Sequence, residues 1–260
     1  MSTVTSRDGT AIAYQRCGTG PAVILVDGAL CSRTFGPMPK LSAKLAAQFS
    51  VITYDRRGRG ESGDTQPYSK AHEVEDIDAL LQMAGGSAHL VGLSSGAALA
   101  LEAAASGLAV TRVAGYEPPY INDGQQPTAD HEANLRALLA DNRRGAAVKY
   151  FMRDMVGVPS FVVVMMRLMP WLWRKLEAVA HTLPYDAAVM GSFAVPTERL
   201  AAIATPTLVM HGGKTDERLK KAALAVAETV PRAQHRTLAG QRHDVSLEVL
   251  APALIEFLRN

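Results

Sequence analysis

The sequence predicts an α/β protein in which a mostly parallel central sheet is flanked by helices and interrupted by an inserted helical cap. Three observations carry that expectation. Short continuous apolar runs recur along the chain: Val23–Val26, Val51–Tyr54, Ala88–Val91, Val110–Tyr116 and Thr207–Met210. Such runs suit parallel strands buried on both faces, which have no solvent side toward which to alternate. Segments of helical spacing lie between them, and strand–helix alternation builds a sheet covered on both sides. The alternation then stops after Tyr116, and from about Ile121 to Met190 there are helical patterns and prolines but no strand pattern.

In chain order, residues 2–16 read as a hairpin turning at Asp8-Gly9. The runs at Val23 and Val51 follow as buried strands. Helical spacing over 72–84 leads into the strand at Ala88, and an alanine-rich helix over 95–106 leaves it. After the break, Thr207–Met210 is a strand behind Pro206, 217–230 a helix, Gln234–Leu238 a strand and 246–258 a last amphipathic helix. The expected division is a core of residues 1–120 and 191–260 with a cap over 121–190.

Bulk properties narrow the function classes. A chain of 260 residues fits one domain with a sizeable core. It is 48% hydrophobic and 20% charged, with a formal net charge of +2, which suits a globular protein and provides no basic stripe for nucleic acid. Two cysteines, Cys17 and Cys31, are too few for a disulfide framework at this length. The polar stretch Met1–Gly9 has no apolar signal core, and the longest apolar stretch, Phe161–Trp173, is broken by Arg167 and Pro170 and too short to span a bilayer. The expectation is a cytoplasmic protein without membrane or nucleic-acid partners, a monomer or homodimer.

The chemistry concentrates at Gly92-Leu93-Ser94-Ser95-Gly96. A serine between a strand and a helix sits on a sharp, strained turn that projects its hydroxyl above the sheet edge, and the glycines permit tight packing. The helix N-terminus that follows can stabilise negative charge at the same spot. A serine hydroxyl is a poor nucleophile and needs a base, which in turn needs an acid to orient it. Asp216, in His211-Gly212-Gly213-Lys214-Thr215-Asp216, and His243, in Ala239-Gly240-Gln241-Arg242-His243-Asp244, both fall in loops just beyond strand ends, where open α/β sheets place their sites. Glu117, in Tyr116-Glu117-Pro118-Pro119, is the rival acid at another strand end.

Together with Val26-Asp27-Gly28-Ala29 and Tyr54-Asp55-Arg56-Arg57-Gly58-Arg59-Gly60, these motifs resemble the α/β-hydrolase fold superfamily over essentially the whole chain. The nearest likeness is to small bacterial esterase-like and perhydrolase-like members. The resemblance implies Ser94 as nucleophile, His243 as base and Asp216 as acid, the commoner location for the acid. It also implies an oxyanion hole made of the backbone N–H groups of Ser95 and Ala29, or Leu30 in place of Ala29. The family usually carries histidine before that glycine, and here the position is Asp27. Either Asp27 turns away to satisfy nearby backbone donors, or it serves as an acid or base in another reaction.

The cap is rich in methionine and aromatic residues, and Met152, Met155, Phe161, Met165 and Trp171, with Asp27 and Leu30, are the expected pocket residues for a substrate with an apolar part. Gly58-Arg59-Gly60-Glu61-Ser62-Gly63 matches a nucleotide-binding pattern, but no helix opens on these glycines, so no cofactor is expected there. No metal motif is present, and no metal is expected. The expected activity is ester hydrolysis through an acyl-enzyme. Perhydrolysis, cleavage of carbon–carbon bonds, cyclisation or acyl transfer in biosynthesis, and a low-turnover ligand-binding receptor stay open.

Overall fold

A computed structural model describes residues 2–122 and 130–259. The parts of the expected core and cap that fall on residues 1, 123–129 and 260 lie outside the described residues.

The chain opens with the strands Ser2–Thr5 (β1) and Ala11–Cys17 (β2), paired antiparallel about a turn in which Gly9 takes φ +87°. Ala22–Val26 (β3), helix Met38–Leu45 (α1), Ser50–Tyr54 (β4), Lys70–Met83 (α2), Ala88–Leu93 (β5), Ser95–Ala105 (α3) and Val110–Tyr116 (β6) follow. Next come the helices His131–Ala140 (α4), Arg144–Tyr150 (α5), Ser160–Arg167 (α6), Pro170–Ala178 (α7) and Leu183–Met190 (α8), with a π-helical turn at Phe151–Met155. The chain closes with Thr197–Ala201 (α9), Thr207–Gly212 (β7), Glu217–Thr229 (α10), Ala233–Leu238 (β8) and Leu247–Arg259 (α11).

The strands form one sheet in the order β1-β2-β4-β3-β5-β6-β7-β8. From β4 to β8 the neighbours are parallel, and β2 pairs antiparallel with β4. Side chains along a strand alternate between faces. In β3, Val23 and Leu25 therefore join one apolar layer with Leu41, Leu45, Leu254 and Phe257 of α1 and α11. Ile24 and Val26 join the other, with Ile77, Leu80, Leu99 and Val226 of α2, α3 and α10. Each such side chain contributes roughly 1.5–3 kcal/mol by leaving water, and burial on both faces is why these strands read as unbroken apolar runs.

The helix α1 is not expected from the sequence. Met38, Leu41, Ser42 and Leu45 are buried at helical spacing, with Pro37 and Pro39 at its start. Proline is tolerated in the first turn, where its missing N–H would have had no partner.

The helices between β6 and β7 build a third apolar cluster around Leu135, Val148, Phe151, Trp173, Leu176 and Leu183, which Leu30 joins from the loop after β3. No helix among the described residues is long and apolar enough to cross a membrane.

Candidate active site

Ser94 stands between β5 and α3 at φ 54°, ψ −125°, a conformation that non-glycine residues avoid. Such strain costs about 1–3 kcal/mol and persists only where the surroundings over-determine it. They do so here through close backbone packing. A Cβ on Gly96 would lie 2.2 Å from the Val26 carbonyl oxygen, and one on Gly92 would lie 2.3 Å from that of Gly96. The Ser94 N–H donates to the Tyr116 carbonyl at 2.9 Å, tying the turn to the end of β6.

That same strand end brings a carboxylate to His243. Glu117 is fully buried, and its Oε2 lies 2.6 Å from Nδ1 of His243. The Gly212 N–H donates to Oε1 at 2.8 Å, and the Thr215 hydroxyl to Oε2 at 3.1 Å. Burial pushes the Glu117 carboxyl up, but the hydrogen bonds from His243, Gly212 and Thr215 outweigh it and hold the group below the ordinary glutamate value. Around His243, the loop is held by the Tyr116 hydroxyl, which donates to the Arg242 carbonyl, and by Gly212, where a Cβ would meet the Gln241 carbonyl at 2.4 Å.

Asp216 does not reach the histidine, which corrects the expected pairing. It is the N-cap of α10, accepting from the Arg218 N–H at 2.8 Å and from the Arg218 guanidinium at 3.0 Å. Its carboxylate is drawn to the free N–H groups of its own helix, the ordinary use of aspartate at that position. It lines a cavity with Arg218 and Asp244. The signal for Glu117 was its place at the strand end before Pro118-Pro119; it stands there at φ 49°, and its carboxylate meets Gly212 at the end of β7 and Thr215 beyond it.

Ser94 and His243 both line two adjoining cavities. One of about 380 Å³ also takes in Pro119, Ile121, Met155 and Phe193. The other, about 320 Å³, takes in Gly28, Ala29, Leu30 and Met152. Of the expected pocket residues, Leu30, Met152 and Met155 line these cavities, together with Phe151 and with Val156 and Val158, which sequence reasoning passed over. Phe161, Met165 and Trp171 do not. They are 71%, 60% and 62% exposed and line neither cavity, because α6 turns Val163 inward and α7 turns Trp173 and Leu176 inward. Methionine and aromatic content revealed an apolar segment but not which face would be covered.

The loop after β3 lies against the serine: a Cβ on Gly28 would be 3.4 Å from Cβ of Ser94. Asp27 is buried, does not line either cavity, and leaves Oδ1 without a hydrogen-bond partner. Of the expected pocket residues near the serine, Asp27 is therefore the one that faces away from both cavities. Burial pushes its carboxyl up to about 8, against the pull of Arg59 and Arg56, so the group is largely uncharged at neutral pH.

Beneath this loop lies a charged network that the sequence did not announce. Arg56 pairs with Glu73 through two bonds of 2.7 Å and with Asp186 of α8 at 2.7 Å. Arg59 donates to Asp186 at 2.6 Å, to the Thr182 hydroxyl at 3.1 Å and to the Gly28 carbonyl at 2.6 Å. The Ser95 hydroxyl donates to Asp186 at 2.8 Å. Burial pushes Asp186 up, but Arg59 and Arg56 outweigh it and hold the carboxyl below its ordinary value. Arginines packed into a turn directly behind a buried strand were the available signal.

A strand–serine–helix elbow, a histidine on a buried acid, and a parallel sheet beneath them meet in one further finding: a model of the alpha/beta hydrolase family matches residues 20–253. The chain belongs to that family. A structure described as an alpha/beta hydrolase from Sphaerobacter thermophilus DSM 20745 is 50% identical, with a TM-score of 0.92, covering 98% of this chain and 99% of that one. Among curated proteins, proline iminopeptidase PfmaB of Pestalotiopsis fici is 27% identical over 165 residues, 62% of this chain and 52% of its own length. The putative non-heme bromoperoxidase BpoC of Mycobacterium tuberculosis is 34% identical over 93 residues, 35% of each chain. This hydrolase-family chain thus spans about half the length of the first curated relative and about a third of the second.

Proposed function

We propose that the protein is a serine hydrolase that cleaves small or medium hydrophobic carboxylic esters through an acyl-enzyme. Membership of the alpha/beta hydrolase family supports hydrolysis. The observation that carries the finer reading is the 2.6 Å contact between His243 Nδ1 and the buried Glu117 carboxylate, beside a cavity that Ser94 also lines. With Nδ1–H given to Glu117, the other ring nitrogen is left as the proton acceptor.

In this mechanism the Ser94 hydroxyl adds to the ester carbonyl as His243 takes its proton. The N–H groups of Ser95 and Ala29 bind the oxyanion. The tetrahedral intermediate collapses, the C–O bond to the alcohol breaks, and His243 returns the proton to the departing oxygen. Water then adds to the acyl-enzyme, giving a proton to His243, and the acid leaves as Ser94 is reprotonated. Glu117 stays ionised and stabilises the imidazolium. The helices from α4 to α8 roof the cavity with Phe151, Met152 and Met155, which suits an apolar acyl or alcohol group.

A fluorophosphonate probe with mass-spectrometric identification of the modified residue tests this. Labelling at Ser94 that disappears in Ser94→Ala, with turnover on a panel of short-chain p-nitrophenyl esters, is the expected result. A native protein that neither labels nor turns over any ester would refute the proposal.

A further inference from the structure

We infer that Arg59 and Asp186 are positioning residues that set the oxyanion hole, by fixing the peptide between Gly28 and Ala29 so that its N–H faces the reacting carbonyl oxygen. This rests on the serine-hydrolase reading of the same site.

The argument begins with peptide geometry. In a trans peptide the C=O and N–H point in opposite directions. The Gly28 carbonyl accepts from Arg59 Nη1 at 2.6 Å, and Arg59 is 1% exposed, so the carbonyl points into the protein interior. The Ala29 N–H on the same peptide is thereby turned to the other side, where Gly28 and Ala29 line the cavity shared with Ser94 and His243.

Arg59 cannot drift, because its planar fork is held at three further points. Nε donates to Thr182 at 3.1 Å, Nη2 to Asp186 at 2.6 Å, and Nη1 also approaches the Cys31 carbonyl at 3.4 Å. Thr182 and Asp186 are both fully buried. Flipping the Gly28–Ala29 peptide would strip Nη1 of its closest acceptor where no water can replace it. An unsatisfied buried donor is costly, and more so when it carries a charge. The arginine therefore penalises the wrong peptide orientation.

The other half of the hole is tied to the same carboxylate. Asp186 Oδ1 accepts from the Ser95 hydroxyl at 2.8 Å, and Ser95 is the first residue of α3, whose N–H is the second proposed donor. Arg56 holds Asp186 from a third side and also reaches the Asp27 carbonyl at 3.3 Å. One buried carboxylate, carried by α8 in the inserted segment, thus fixes both donors relative to each other. A lysine at 59 keeps a charge for Asp186 but cannot also reach Thr182 and Gly28 through a rigid fork.

The test compares the parent with Arg59→Lys, Arg59→Met and Asp186→Asn. It measures the second-order rate of Ser94 labelling by a fluorophosphonate, whose P=O oxygen must occupy the same hole. It also measures kcat and KM on p-nitrophenyl butyrate and the pH–rate profile. Arg59→Lys and Arg59→Met should lose about 100-fold in labelling rate and in kcat, the lower end of the effect of removing one oxyanion donor. KM should stay within about twofold. The inflection of the pH–rate profile should not move, because His243 and Glu117 are untouched. Asp186→Asn should show the same pattern. Arg59→Lys decides the matter if the methionine variant does not fold. A lysine variant that melts with the parent and labels at the parent rate would overturn the inference, as would a loss confined to KM. A parent that does not label at all would overturn the hydrolase reading, and this inference with it.

Discussion

Glu117 and His243 are 126 residues apart in the chain and 2.6 Å apart in space. The contact joins the end of β6 to the loop after β8, two strands separated in the sheet only by β7. Three hydrogen bonds converge on the Glu117 carboxylate, and Asp216, the acid expected from the sequence, makes none of them.

Glu117→Gln should lower kcat on an ester substrate by about 10³- to 10⁴-fold, since an amide cannot stabilise the imidazolium or hold its tautomer. Asp216→Asn should stay within about twofold, because asparagine is an equally good N-cap and, among the described residues, the Asp216 carboxylate bonds to Arg218 rather than to His243. Steady-state kinetics of the two purified variants decide it, and a crippled Asp216→Asn beside an active Glu117→Gln would reverse the assignment.

Gly96→Ala should abolish the elbow. The new methyl carbon would sit 2.2 Å from the Val26 carbonyl oxygen and 2.5 Å from that of Asp27, both backbone atoms that cannot swing aside. A loss of at least about 3 kcal/mol is expected, at the severe end of single substitutions. Denaturant unfolding of any soluble protein obtained would measure it. Parent-like stability would show that β3 and α3 can separate freely.

Asp27→Asn should stabilise the protein near neutral pH. The folded pKa of about 8 lies above the ordinary value of 3.8, so the folded state holds a proton that the unfolded state releases. The contribution of Asp27 to stability is fully present below about pH 4 and is lost as pH rises toward 8. Between those limits the cost grows by about 1.4 kcal/mol for each pH unit, which sets a ceiling of roughly 4 kcal/mol at about pH 7. Relaxation around the carboxyl leaves an expected gain on the order of 1–3 kcal/mol for the amide. Thermal melts from about pH 4 to about pH 8 should show the variant's advantage growing with pH. A constant difference would mean that Asp27 is not the titrating group.

Arg56→Met should destabilise by about 3–5 kcal/mol, because it leaves Glu73 with no guanidinium and Asp186 with only Arg59, both carboxylates being buried. At this chain length each kcal/mol moves the melting temperature by roughly 2–4 °C, so a drop of at least about 6 °C is expected. A smaller shift in a calorimetric melt would show that water enters to solvate the orphaned acids.

The sequence by itself determined the sheet and the placement of the serine. Buried parallel strands must be apolar on both faces, so β3 to β7 are legible as runs, and the elbow is legible because its glycines are dictated by contacts between adjacent elements. His243 was legible for a similar reason, lying in a short loop directly behind a strand end. Tertiary structure alone decided which acid meets it. Glu117 and Asp216 both follow strands, and the choice turns on whether a carboxylate is taken by its own helix N-terminus or by groups from β7 and the loop after β8. It also decided the faces of α6 and α7, where Val163, Trp173 and Leu176 turn inward while Phe161, Met165 and Trp171 stay exposed. The pairing of Arg56 and Arg59 with Asp186 lay equally beyond reach. Charges 127 and 130 positions apart meet because α8, between β6 and β7, packs back against α2 and α3, and nothing in the local sequence records that distance.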